Sequence, residues 1–173
     1  MLMRLAVLVV LVLVAPVHAQ QPSAACKLLQ IGEIESAMGG KASTKLVGGS
    51  QNVGGMVLDT CSIELAVPGQ TGVRKVNITI YKDTPLDAGE LLRARNGGTA
   101  REGQWKETGA RLEQKTVGNA ICIMAGRPGA AGHSICSIPR AKTIVEVDVT
   151  APVRELPSLD IVGALVQKAI ARM

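Results

Sequence analysis

The chain has 173 residues, a net charge of +5 at neutral pH, one tryptophan, one tyrosine and no phenylalanine. Single-strand nucleic-acid binders stack bases on aromatic rings, so this composition counts against nucleic acid and equally against a carbohydrate platform of stacked rings. Basic residues form loose groups, Arg74-Lys75, Arg93-Arg95-Arg101 and Lys106-Arg111-Lys115, which read as solvated faces with at most a weak attraction to anionic envelope surfaces.

Residues 1–19 read as a secretory signal peptide. Arg4 supplies the early positive charge, an apolar run follows from Leu5 to Val14, and Val17-His18-Ala19 precedes polar Gln20-Gln21, which places cleavage after Ala19. A core of about ten apolar residues is half of the ~20 that a spanning helix needs, so no integral membrane span is expected once the signal is removed. Lipoprotein processing at Cys26 is the other reading. Against it, Ser23-Ala24-Ala25 puts a polar residue where a lipobox has Leu or Val, and acylation would leave an odd number of cysteines. Removing residues 1–19 takes away Arg4 and no acid, which lowers +5 to +4 and leaves about 154 residues. That length fits a polar leader, 20–25, and one domain, 26–173, in the periplasm or outside the cell.

In chain order, a helix is expected over 31–38. Gln30 precedes it, Glu33 sits in its first turn where the dipole favours an acid, Ile31, Ile34 and Met38 share one face, and Gly39-Gly40 ends it. Gly48-Gly49 and Gly54-Gly55 bracket Ser50-Gln51-Asn52, which reads as a flexible surface loop and a candidate recognition edge. Strands are expected over 56–66, with Cys61, and 74–81, where Val76, Ile78 and Ile80 alternate with Asn77, Thr79 and Tyr81. A second helix begins at Thr84-Pro85, with Thr84 as N-cap and Asp87 near the N-terminal dipole, and stops at Asn96-Gly97-Gly98. Strands follow near 103–107, 110–115, 119–124 and 134–139, then 143–150 with Val145, Val147 and Val149 against Glu146 and Asp148. A last helix covers 158–173, its apolar face running from Leu159 to Ile170. These elements give an α+β fold: an antiparallel sheet of about five to seven strands packed by two or three helices. Cys61-Ser62-Ile63 and Cys136-Ser137-Ile138, each ahead of an alternating strand, echo one another. Duplication of a hairpin-plus-helix unit and chance similarity of two β-rich segments both account for that echo.

Four cysteines in an oxidising compartment read as two disulfides with three connectivities open. Cys26 with Cys61 and Cys122 with Cys136 is the favoured pairing, because each bridge closes a loop within its own half. Pro128-Gly129 suits the centre of a type II turn and lies midway between Cys122 and Cys136. No Cys-x-x-Cys occurs, so neither a zinc site nor a redox pair is expected.

His133 is the one histidine remaining after export. It precedes Ser134, but neighbours on a strand point apart and no Gly-x-Ser-x-Gly elbow is present. Gly39-Gly40-Lys41-Ala42-Ser43 lacks the first glycine and the hydroxyl spacing of a phosphate loop. Asp59, Glu64 and the Glu146/Asp148 pair are the candidate carboxylates. The last two share a strand face about 7 Å apart, a spacing suited to two acting carboxylates and equally to an ordinary solvated strand. Trp105 reads as a cap on the core, and Asn77-Ile78-Thr79 fits a glycosylation sequon.

The opening Cys26-Lys27-Leu28-Leu29, the short helix through Glu33 to Met38-Gly39 and Cys61 in an early strand resemble small exported bacterial envelope proteins and lipoproteins of unknown function. The resemblance implies an α+β fold and a Cys26–Cys61 bridge; the second cysteine pair and the poor lipobox depart from it. It specifies no catalytic residue, and no cofactor or metal is expected. The function expected is that of a non-enzymatic binding or envelope-associated protein, with an envelope protein as partner. Its candidate contacts are a sheet face or the loops around Gly48 to Gly55, with Ser50, Gln51 and Asn52, and Gly126 to His133, with Arg127 and His133. A small hydrolase using His133 or surface carboxylates, and a structural envelope component, are the alternatives.

Overall fold

A computed structural model of the chain describes residues 23–70, 72–85, 87, 89–90 and 111–173. The expected signal segment, most of the expected second helix, the strand expected near 103–107 and Trp105 lie outside the described residues. Among the described residues there are eight strands: β1 (Lys41–Ala42), β2 (Val47–Val53), β3 (Met56–Ala66), β4 (Val73–Lys82), β5 (Arg111–Val117), β6 (Ala120–Gly126), β7 (Ala131–Arg140) and β8 (Thr143–Pro152). They form one antiparallel sheet in the order β1-β3-β4-β8-β7-β6-β5, with β2 also paired to β3. Helices α1 (Ile31–Met38) and α2 (Leu159–Ile170) accompany it. No described helix is long and apolar enough to cross a membrane.

The expected α+β class and antiparallel sheet are found, but the strand count exceeds five to seven. The two strands not expected are β1 and β2, and β2 comes from the glycine-rich segment read as a loop. Gly54 and Gly55 both take positive φ, 58° and 87°, which only glycine adopts without strain and which a two-residue hairpin turn requires. Val47–Val53 therefore folds back on β3, from Val53 opposite Met56 to Val47 opposite Ser62. The start of the second helix also differs. Thr84 is buried, its backbone N–H and its hydroxyl both donating to Lys142 O at 3.1 Å. Asp87 instead accepts from the backbone of Gly89 and Glu90, the first helical residues.

One row of residues runs across the sheet: Gly48, Cys61, Ile78, Val147, Cys136 and Cys122 are successive partners on β2, β3, β4, β8, β7 and β6. It is symmetric about Ile78 and Val147, so the two Cys-Ser-Ile motifs occupy matching places. Cys122 and Cys136 face each other across neighbouring strands and are bonded. The place that matches Cys122 on the other side holds Gly48, and there Cys61 bonds instead to Cys26, from the turn Ala24–Lys27. A β-carbon added at Gly48 would lie 2.7 Å from Cys26 Sγ and 2.6 Å from Ser23 Cβ. The missing side chain at 48 is the space the bridge occupies.

Residues flanking this row on the same face build the core: Ile63, Leu65, Val76, Ile80, Val145, Val149, Ile138 and Met124, all buried. Leu159, Val162, Leu165, Val166 and Ala169 of α2 and Ile34 and Met38 of α1 cover them. Polar groups pin the ends. Asp59 is buried on β3 and accepts from Ser23 Oγ and, at 3.1 Å, from Ala24 N–H, so this candidate carboxylate fixes the N-terminal turn beside Cys26. Ser23 and Ala25, expected to belong to the leader, are thus packed on the sheet. Arg74 donates to the carbonyls of Met38 (2.7 Å) and Glu155 (2.6 Å); burial pushes its guanidinium down, opposed by the Glu155 charge. Arg172 donates to both oxygens of Glu33, at 2.6 and 2.8 Å, and to Leu28 O at 2.9 Å, tying the last residues to the start of α1. Those Arg172 bonds, with the Gln30 N–H, hold the Glu33 carboxyl down at about 2.

Two predictions follow from these contacts. Gly48→Ala is expected to lower stability by about 1–3 kcal/mol through overpacking against Cys26 and Ser23, whereas Gly49→Ala, whose added carbon meets nothing within 4 Å, stays near wild type in denaturant titrations. A lowered carboxyl stabilises the fold above its unfolded value and loses that contribution as pH falls through its folded one. Glu33→Gln should therefore melt below wild type at pH 5 and above, and the gap should close as pH approaches 2.

Candidate functional site

Because side chains alternate along a strand, the residues between the core positions emerge on the opposite face. Lys75, Asn77, Thr79 and Tyr81 on β4, Glu146, Asp148 and Thr150 on β8, and His133, Ile135 and Ser137 on β7 are drawn together there by the register. Thr79 pairs with Glu146 and Glu146 with Ser137; Asn77 pairs with Asp148; Lys75 pairs with Thr150 and Thr150 with His133. With Thr60 and Ser62 of β3, all of these but Ser137 and Thr150 line a recess of about 590 Å³. Lys75 also lines, with Thr150, a neighbouring cleft of about 900 Å³ between Val73, the Pro128–Ala131 turn, and Pro152 to Glu155.

Glu146 is 6% exposed, so it is not the solvated strand residue that its alternation allowed. Its Oε1 accepts from Tyr81 Oη at 2.9 Å and its Oε2 from Ser137 Oγ at 2.8 Å. Two donors are what a carboxylate in this setting needs. Asp148 lies one step along the same face. Burial pushes its carboxyl above the usual aspartate range, and the His133 charge and hydrogen bond oppose that rise. His133 Nδ1 stands 3.1 and 3.3 Å from the two Asp148 oxygens and 3.3 Å from Thr150 Oγ1. The carboxylate therefore orients the ring through Nδ1.

A carboxylate holding an imidazole is the base-and-orienter half of a nucleophilic site. Ser134, next to His133 in sequence, points to the other face, fully buried and donating to Pro157 O at 2.9 Å. Ser137 is engaged with Glu146, and Thr150 sits at Nδ1. Among the described residues, no hydroxyl stands on Nε2, and no cluster of three or more His, Cys, Asp or Glu side chains could hold a metal ion.

The two loops expected to recognise a partner do not form one surface. Ser50, Gln51 and Asn52 are exposed on β2, with β3, β4 and β8 between them and β7. Arg127 is exposed in the turn closed by Ala130 N–H to Arg127 O at 3.1 Å, where Gly129 takes a φ of 79°. His133 alone reaches the recess. Lys75, Tyr81, Ser137 and Thr150 were not singled out from sequence. The outward phase of Lys75, Tyr81 and Thr150 is readable from the alternation in 74–81 and 143–150, but the pairing of those two strands is not, and Ser137 lies on neither.

No protein-family model and no curated protein matches the chain. Among solved structures, it is similar to the crystal structure of the extracellular domain of PknH from Mycobacterium tuberculosis, with a TM-score of 0.48 and 13% identity over 88% of this chain and 97% of that chain. No residue role follows from that likeness.

The raised Asp148 carboxyl gives a signed test. An acid held above its unfolded value favours the fold below that value and loses the contribution as pH rises through the folded one. Asp148→Asn stays neutral and keeps an acceptor for His133. From about pH 4 to 5.5, above the ordinary aspartate value, its melting temperature should rise relative to wild type. A gap independent of pH would contradict burial as the cause.

Proposed function

We propose that this is an exported, non-enzymatic binding protein that takes a partner of the cell envelope on the polar face of its sheet. Export rests on the signal-like segment 1–19, and the two disulfides support it, because such bonds persist in oxidising compartments. Binding rests chiefly on one observation. Glu146, Asp148, His133, Tyr81 and Lys75 converge on a recess that the described helices leave uncovered, and hydrogen bonds hold the first four of these side chains in place. Preset polar groups of both signs suit recognition of a polar surface, since less ordering entropy is lost on contact.

The hydrolase reading keeps one feature in its favour, the Asp148–His133 pair. Set against it are Ser134 on the opposite face and Ser137 held by Glu146. The two readings part experimentally. Envelope extract passed over the immobilised protein should yield a saturable partner, with binding weakened about tenfold or more by His133→Ala or Asp148→Ala, in line with loss of a charged interfacial contact. Turnover in a broad hydrolase screen that His133→Ala abolishes would contradict the proposal. Absence of any saturable partner would favour a structural component.

A further inference from the structure

Among the described strands, the two at the ends of the sheet differ in composition. Exposed edge strands are ordinarily blunted by charge, proline or a bulge, because their outward N–H and C=O groups invite another strand. β5 carries Arg111, Glu113 and Lys115. β2, Val-Gly-Gly-Ser-Gln-Asn-Val, has no charge, no proline and an unbroken register on β3. Val47 and Val53 at its ends are 60% and 51% exposed.

We propose that β2 pairs antiparallel with β2 of a second copy of this chain, giving a two-fold dimer whose sheets join edge to edge. The turn fixes which backbone groups are available. In a two-residue hairpin the residues flanking the turn, here Val53 and Met56, exchange hydrogen bonds, and the pattern then alternates. Val53, Gln51, Gly49 and Val47 are therefore spent on β3, and Gly48, Ser50 and Asn52 turn N–H and C=O outward. Those three are symmetric about Ser50. Antiparallel pairing centred there sets Ser50 against Ser50 of the second copy and Gly48 against Asn52, each exchanging both backbone bonds. In the intervening pairs, where side chains approach most closely, Val47 meets Val53 of the second copy at both ends, an apolar contact between residues now in water. A sequence that matches itself in hydrogen-bond phase and in side-chain pattern favours a second copy over an unrelated strand.

The two-fold axis stands normal to the sheet, so both polar recesses lie on one side of the dimer. The dimer itself does not depend on what those recesses bind.

Sedimentation of the oxidised protein across a wide concentration range tests the pairing. Wild type should show a reversible monomer–dimer equilibrium. Ser50→Pro removes an outward N–H and leaves the bonds to β3 in place, and it should weaken association by about tenfold or more, because symmetry deletes two bonds; its thermal melt reports that the fold survives. The register has its own check. A Val47→Lys/Val53→Lys variant and a Val47→Glu/Val53→Glu variant should each be monomeric alone and should associate when mixed. Wild type that stays monomeric throughout, dimers indifferent to Ser50→Pro and to both charged pairs, or charged variants that fail to associate on mixing would each overturn the proposal.

Discussion

A sheet of this width held by a core without phenylalanine depends on the row that crosses it from Gly48 to Cys122. A buried aromatic ring removes 150–250 Å² from water, and valine and alanine remove far less. The chain compensates by covalent means at the two places where the sheet runs out from its central pair, Ile78 and Val147. On one side, adjacent strands each supply a cysteine. On the other, the neighbouring strand supplies a glycine, and the gap admits a cysteine from the N-terminal turn. That choice has a consequence beyond the bridge. It brings Ser23, Ala24 and Ala25 against β3, where Asp59 receives their donors, and it sets α1 to pack beside α2.

With α1, α2, the N-terminal turn and both bridges on one face, the other carries the polar recess beside a small apolar cluster of Ile144, Tyr81 and Ile121. That division explains why Glu146 and Asp148 are held so differently from ordinary strand acids. Each lies on the central strand β8, flanked by β4 and β7, so each is screened from water and meets donors from both sides. The site is therefore a product of strand order. The same side chains on an edge strand would be solvated and unfixed.

Much of this was legible in the residues. The limits of α1 were, because Gln30, Glu33 and Gly39 mark both ends, and Gly39 takes the left-handed conformation that its position implies. So was the β6–β7 hairpin, since Pro128-Gly129 permits few other turns. The phase of β4 and β8 was legible from alternation, and with it the membership of the polar face. What could not be read was adjacency. Nothing local says that β4 pairs with β8, and without that pairing Tyr81 and Glu146, 65 positions apart, have no connection. The glycines near 48–55 were misread for a related reason. Glycine marks both flexible loops and positive-φ turns, and only the partner strand decides between them.

Which sulfurs are joined, and whether residues 1–19 are removed, are both reported by a non-reducing and reducing peptide mass map of the protein. It should show peptides linked through Cys26–Cys61 and Cys122–Cys136, an N-terminus at Gln20 and no lipid on Cys26. A crossed pairing, or an acylated Cys26 with Cys61 free, would contradict the account.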